Sequence, residues 1–263
     1  MSINTTKYGY DQLDFDLIAL DKIIESYDVA SDPVLNKIWP KIAQELWQEI
    51  GSYGADINQY GEVMHGHLER ISKDGQKFMG QLGYSAKSGR NFYDAFKLSD
   101  IGKLHSDYDI NIWSLPHSPT PEERRMKSMH TLRGLEYLEQ AYKRHNVSDE
   151  FYNHPHIKTV IPTLMLYHHE RLDGSGYSGI AAEKLGKTIR MACIVDAYDG
   201  DRIHRPHQPA KRSEEEAIDR MMALGDDQKY AGAFDGELLK VFKGYKLAPE
   251  PDNKIGAKRG LEY

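Results

Sequence analysis

The sequence predicts an all-α protein, and three observations carry that prediction. Apolar residues recur at helical spacing through most of the chain. Helix-start signals stand at Asp32-Pro33, at Thr120-Pro121 and at Ser213. No apolar/polar alternation of the strand kind is sustained anywhere. With 263 residues and 40% hydrophobic residues, the chain can bury a sizeable core, as one large helical domain or one domain with a short helical extension.

The elements follow in order. Phe15, Ile18, Ile23 and Ile24 recur roughly at helical spacing. A second helix is expected to start with Asp32 as N-cap and Pro33 at its first position. Leu35, Ile38, Ile42, Leu46 and Ile50 give it an apolar stripe, with Pro40 a candidate kink, and this region reads as packing or partner surface rather than chemistry. A third helix spans about Tyr60 to Leu82 and stops at Gly83; a further one ends near Lys103. Thr120, Pro121 and Glu123 form a capping box opening a helix to about Arg144, with His130 inside it and Gly134 one turn on, where a neighbour can approach closely. The next helix runs from about His156 to Glu170, bent or restarted near Pro162. The run Asp173-Gly174-Ser175-Gly176-Tyr177 is a loop. Lys187 to Asp199 is helical, and Ser213 with Glu216 forms a second capping box. From about Ala248 the chain is rich in Pro, Gly, Lys and Asp and reads as a poorly ordered tail.

Composition narrows the function classes. The net charge of −6 provides no broad basic field, so binding of a DNA or RNA duplex through phosphate neutralisation is not expected. No apolar stretch is long enough to span a bilayer, and residues 1–9 lack a signal-peptide pattern. The single cysteine, Cys193, allows no intramolecular disulfide and reads as a small buried apolar residue. The expectation is a cytoplasmic protein.

Six polar residues stand out: His67, Asp100, His130, His168, His169 and Asp196. Imidazoles and carboxylates suit iron, manganese or zinc, and these six lie on five helical segments, as an inward-facing metal site in a bundle requires. His168 and His169 are adjacent, about 100° apart on a helix, so they are expected to frame a larger centre rather than share one ion. His65 and His67 differ by about 200° around their helix, so at most one faces inward; spacing alone prefers neither.

The motif order resembles the HD-GYP family. His168 to Tyr177 resembles its HHExxDGxGYP signature, and Ser99-Asp100-Ile101-Gly102-Lys103 resembles its HDIGK motif. His130 and Gly134 match the next helix, His67 with Arg70 matches the early HxxR, and Asp196, Asp199 and Arg205-Pro206 fall on its late aspartate and DALTSDRPYR segment. The resemblance covers about Tyr60 to Ala223 and favours His67 over His65. It implies an HD-superfamily helical bundle and metal-dependent phosphodiesterase activity on a cyclic dinucleotide, chiefly cyclic di-GMP, giving pGpG or GMP. It also implies two divalent ions, iron or manganese, with zinc as a further candidate. His67 and Asp196 would serve the first ion, Asp100 would bridge, and His130, His168 and His169 would serve the second. Lys103 and Arg205 would contact substrate phosphate, with Asp100 and Lys103 acting in catalysis. Asp173, Gly174, Gly176 and Tyr177 form the motif loop, which in the family is linked to docking of diguanylate cyclase (GGDEF) domains.

The chain departs from the pattern at named places. Ser99 replaces the HD histidine, so the first metal position loses a ligand; water, His65 and His105 are the candidates to fill it. Ser178 replaces the GYP proline, which predicts a less rigid loop. Val63 stands where some members place a third-metal glutamate, and His207 and Gln208 alter the last motif. The stretch around His145 to His156 reads as an insertion that either covers the pocket or lies on the surface. Residues 1–55 are expected as a helical extension, 56–247 as the phosphohydrolase domain and 248–263 as a flexible tail. Ser99, Ser178 and Gln208 motivate one alternative, a catalytically impaired metal- or nucleotide-binding sensor or docking module. A hydrolase of a different phosphoester is the other.

Overall fold

The computed structural model describes residues 15–53, 60–115, 117, 119–203, 211–224 and 227–248. Among these the regular structure is helical throughout, with no strand. The α-helices are α1 (Leu20–Ile23), α2 (Trp39–Ser52), α3 (Tyr60–Gln81), α4 (Ala86–Phe96), α5 (Pro121–Arg144), α6 (Asp149–Tyr152), α7 (Ile161–Tyr167), α8 (Lys187–Arg202), α9 (Glu214–Met221) and α10 (Gly236–Lys246).

Local signals account for most boundaries. At α5, Thr120 Oγ1 accepts the Glu123 N–H while the Glu123 carboxylate accepts the Thr120 N–H, and Ser213 and Glu216 repeat this arrangement at α9. α3 ends before Gly83, whose φ of +83° continues no right-handed helix. The second helix starts later than its sequence suggests. Asp32 Oδ1 accepts the Val34 and Leu35 N–H groups, but what it caps is a 3₁₀ turn at Leu35–Lys37. The α-helix begins at Trp39, with Pro40 in its first turn, so this proline opens α2 instead of kinking it. The segment expected to end near Lys103 divides likewise into α4 and a separate 3₁₀ turn at Ile101–Leu104. Upstream of α7, His156–Val160 forms one π-helical turn, and Pro162 stands at the start of α7.

One buried cluster joins all of this. Leu20, Ile24, Ile42, Leu46 and Ile50 are fully buried and belong to the same core as α3, α7 and α8. Each such side chain contributes roughly 1.5–3 kcal/mol on burial, so α1 and α2 are fastened to the bundle. Ile18, placed on the same apolar face by its spacing, is 56% exposed instead. The stretch from His145 to His156 packs on this N-terminal region. His145 Nε2 lies 2.7 Å from Glu45 Oε2, and His154 Nε2 lies 3.1 Å from Asp32 Oδ2. It therefore does not cover the pocket described below.

The site is positioned by α3 packing on α4 and α8, α5 on α7, α7 on α8, and the 101–104 turn on α5. The last of these contacts needs glycine at 102, and the contact of α5 with α7 is tight at Gly134. A Cβ at Gly102 would collide with the His130 carbonyl and the Gly134 nitrogen, and one at Gly134 would collide with Met165 of α7. These two glycines bring Asp100 up against His130 and draw α5 onto α7.

Candidate metal centre and its cavity

Asp100 sits just before the 101–104 turn, 1% exposed, and three imidazoles converge on it. One ligand atom each from Asp100, His130, His168 and His169 lies within 4.8 Å of all the others; among the described residues this is the group so placed. His130 comes from mid-α5, His168 from the C-cap of α7, and His169 follows it.

Hydrogen bonding fixes how these rings face. His130 Nδ1–H donates to the Lys127 carbonyl at 2.6 Å. His168 Nδ1–H donates to the Met165 carbonyl at 2.9 Å and approaches that of Leu164 at 3.1 Å. His169 Nδ1 lies 3.1 Å from Asp196 Oδ2. Each Nδ1 therefore carries the proton, and each Nε2 presents a lone pair. Those three Nε2 atoms and Asp100 Oδ1 are buried and have no hydrogen-bond partner. Unpartnered buried acceptors are costly unless a cation lies among them. Imidazoles anchored through Nδ1 are also how metal-ligating histidines are held. The donor set thus fits a divalent ion.

Electrostatics agree with this. Burial, reinforced by His168, pushes the His169 imidazole down to about 3, and burial also lowers His130, so both are neutral near pH 7. Burial opposes the charge on Asp100, but Lys103 and the imidazoles hold its carboxyl well below the ordinary range. Asp196 is likewise buried yet kept ionised by His169 and His67.

The adjacent histidines correct one expectation. Their ring centroids are 4.0 Å apart and both residues belong to the same four-residue group. α7 ends at Tyr167, so His169 no longer follows a helical path and the 100° separation does not apply.

His67, on α3, faces the same centre. Its Nε2 lies 3.3 Å from Asp196 Oδ1 and 3.8 Å from Asp100 Oδ2, and its Nδ1 lies 2.7 Å from Asp199 Oδ2. Arg70 grips Asp199 with two bonds, at 2.7 and 2.8 Å. Burial opposes protonation of His67, yet the bonds to Asp196 and Asp199 raise it to about 9. The helical (i, i+3) pairs His67/Arg70 and Asp196/Asp199 signal this support in the sequence; Asp199 and Arg70 were read there only as motif matches. Neither imidazole substitute for the missing histidine reaches the centre. His65 stacks on Trp47, with centroids 4.1 Å apart, and His105 Nε2 faces Glu136 at 3.3 Å. Ser99 is 1% exposed, and its hydroxyl has no hydrogen-bond partner.

Lys103 reaches back to Asp100 Oδ2 at 2.5 Å, and its ammonium lies 3.9 Å from the centroid of the Trp113 ring. Above the centre opens a cavity of about 790 Å³, lined by His67, Asp100, His169 and Asp196 at its floor. Its walls carry the cations Lys103, Arg124, Arg125, Lys127, Arg171 and Lys229, and the aromatic rings of Tyr53, Trp113, Tyr177 and Tyr230. Apart from Lys103 and Tyr177, which the motif resemblance marks, none of these wall residues is marked as a site residue in the sequence, because it is the packing of distant segments that gathers them. Arg205 lies outside the described residues.

The motif loop folds over one edge. Asp173 Oδ1 accepts the Ser175 N–H at 2.9 Å, and Gly174 takes a φ of +75°. Gly176 packs so closely on Glu170 that an added Cβ would lie 2.6 Å from the Glu170 Cα. The buried Glu170 carboxylate accepts the Ser178 N–H at 2.7 Å and the Ile180 N–H at 2.9 Å. Proline has no N–H to give. Ser178 therefore adds an anchor, contrary to the expectation of a looser loop. Tyr177 is held with its ring centroid 4.7 Å from that of His169. Cys193 is buried and burial pushes its thiol up to about 12.

No family model matches the chain. Curated relatives do. Over 87 residues it is 32% identical to a cyclic di-GMP phosphodiesterase of Pseudomonas aeruginosa, covering 33% of this chain and 19% of that protein. Over 184 residues it is 28% identical to a cyclic di-GMP phosphodiesterase of Thermotoga maritima, covering 66% and 46%. The chain thus spans less than half the length of these relatives. Among solved structures, an HDG"Y"P protein from Bdellovibrio bacteriovorus superposes with a TM-score of 0.54 at 14% identity, covering 91% of this chain and 75% of the other.

Proposed function

From a chain that is a relative of the HD-GYP proteins in fold and in motif order, we propose a metal-dependent phosphodiesterase that hydrolyses a cyclic dinucleotide, cyclic di-GMP foremost, to pGpG or GMP. The observation that carries this is the inward set of unpartnered acceptors, Asp100 Oδ1 and the Nε2 atoms of His130, His168 and His169, beneath a cation-lined cavity whose lining includes Asp100 and His169. In an acidic protein, six cations around one pocket match a ligand with more than one phosphate. The aromatic rings among them suit the flat faces of bases.

Asp100, His130, His168 and His169 would hold the ion, with His67 and Asp196 beside them. Imidazole and carboxylate donors suit iron or manganese, and zinc also accepts them. A divalent ion held there would supply Lewis-acid polarisation of a phosphoryl oxygen and make water more acidic. The chain's own groups do the rest. Lys103 offers an ammonium in the cavity lining, beside Asp100, to stabilise charge developing on the phosphoryl group. Asp100, kept ionised in its buried position, would face the ion through Oδ1 and orient the Lys103 ammonium through Oδ2. Arg205 is retained as a second phosphate contact from the motif match. The cation-lined walls orient the substrate, and Tyr177 closes the loop side.

The domain reading is residues 56–247 as the hydrolase unit, with 1–55 an extension whose described part packs in the same core. No helix among the described residues is long and apolar enough to cross a membrane; a cytoplasmic setting is the reading taken from the sequence. A GGDEF domain is the partner reading for the loop at 173–180, supported by the exposure of Tyr177 at its tip. Ser99 favours a second reading, a metal- and nucleotide-binding module without turnover, because its buried hydroxyl replaces an imidazole.

The test is incubation of anaerobically purified protein, supplied with ferrous iron or manganese, with cyclic di-GMP and chromatography of the products. Formation of pGpG or GMP, abolished by Asp100→Ala, is the expected result. No product from metal-loaded protein would overturn the phosphodiesterase reading and favour the binding module.

A further inference from the structure

The donor atoms of the centre divide unequally. On one side, three Nε2 atoms and Asp100 Oδ1 point inward with no hydrogen-bond partner. On the other, Asp100 Oδ2 is already engaged by the Lys103 ammonium at 2.5 Å. Lys103 is only 8% exposed, and it is held from a second direction by the Trp113 ring at 3.9 Å. That ring is itself fixed, because Trp113 Nε1–H donates to the Tyr108 hydroxyl at 2.6 Å, which in turn donates to the Lys127 carbonyl at 3.2 Å. The same carbonyl accepts His130 Nδ1–H. One hydrogen-bonded chain thus sets both the ammonium and a ligand imidazole.

Beside Lys103 the donors are few and mostly engaged: Asp196 Oδ1 faces His67 Nε2 at 3.3 Å and its Oδ2 faces His169 Nδ1 at 3.1 Å. Ser99 offers a buried neutral hydroxyl that reaches no partner, a poor ligand next to imidazole. His67 Nε2 stands 3.8 Å from Asp100 Oδ2, and its other nitrogen is committed to Asp199. A divalent ion bonded to Oδ2 at about 2 Å would have to displace the ammonium from the same oxygen. Two cations cannot share it at bonding distance without strong repulsion.

We propose that this centre takes one divalent ion, in the seat formed by Asp100, His130, His168 and His169. The Lys103 ammonium, clamped between Asp100 and Trp113, occupies the position of a second cation. With no imidazole at Ser99, the motif lysine leaves a fixed single charge, able to donate hydrogen bonds to a phosphoryl oxygen, where an exchangeable ion would otherwise sit. The inference rests on reading the cluster as a metal centre, not on the identity of the substrate.

The full chain, loaded anaerobically with manganese alone and freed of excess by gel filtration, tests it by elemental analysis and electron paramagnetic resonance. One manganese per chain with the spectrum of an isolated ion is expected. His130→Ala should lose that ion and His67→Ala should keep it. The double variant Ser99→His/Lys103→Met should rise towards two ions with a spin-coupled spectrum. Two ions or a coupled spectrum in the unaltered chain would overturn the proposal, as would an ion lost with His67→Ala and kept by His130→Ala. If a variant does not fold, the count and spectrum of the unaltered chain decide alone. Uptake of no manganese would overturn the metal-centre reading as well. Two ions with turnover would overturn this inference only, and one ion without turnover would overturn only the proposed activity.

Discussion

Asp100 Oδ1 and His130 Nε2 face each other at 3.2 Å with no hydrogen bond between them, because His130 spends its one proton on the Lys127 carbonyl. Two acceptors held this close mark a place for a cation. The expected consequence is stabilisation by metal. With manganese at about 100 times its dissociation constant, the unaltered chain should gain about 2.7 kcal/mol. His130→Ala should abolish that gain. Thermal unfolding with manganese and with a chelator measures it.

Gly102 is where the Asp100 turn meets α5, and any Cβ there would strike the His130 carbonyl. Gly102→Ala should destabilise by about 1–3 kcal/mol through overpacking and lower manganese uptake by moving Asp100 away from His130. Urea unfolding and metal analysis of the same variant give the two readouts. Gly80→Ala serves as the control, since nothing lies within 4 Å of a Cβ there.

Much of the site was legible in the sequence. The motif order named all six residues that face the centre, and the capping boxes placed α5 and α9 correctly. What was hidden has physical causes. Helical spacing, unlike the motif resemblance, sets the adjacent histidines apart; they converge because α7 stops before them, and a helix end after a run such as Leu164-Met165-Leu166-Tyr167 has no breaker to announce it. Pro40 reads as a kink while Asp32 is taken to start the helix, but the Asp32 cap belongs to a 3₁₀ turn and Pro40 opens α2. The Trp113–Lys103 contact and the cation-lined walls join segments far apart in the chain, and spacing carries no information on them.

Ser178 shows how a backbone group escapes a side-chain reading. Its N–H donates to a buried carboxylate. Ser178→Pro removes that donor and should cost about 1–3 kcal/mol, with faster amide exchange across residues 173–180. Hydrogen-exchange mass spectrometry of that loop checks it; unchanged protection would show that Glu170 does not anchor the loop through Ser178.

Asp94 links three parts of the chain: its Oδ2 accepts Trp39 Nε1–H at 2.6 Å and His156 Nε2–H at 2.9 Å. Burial opposes its charge, but the bond from His156 prevails and holds its carboxyl below the ordinary value. A carboxyl lowered in the folded state adds stability that is present above its unfolded value of about 3.9 and is lost as pH falls through the folded value. Asp94→Asn should therefore lower stability at pH 7, by about 1.5–3 kcal/mol, and shrink the loss of stability on going below about pH 4. Denaturant midpoints across that range measure both effects.

The acceptor-lined seat is tested most directly by diffraction from crystals grown with manganese, using data collected above and below its absorption edge. The account predicts an anomalous peak bounded by Asp100 Oδ1 and the Nε2 atoms of His130, His168 and His169. No peak there at full manganese exposure, or a peak lying instead between His67 and Asp196, would contradict it.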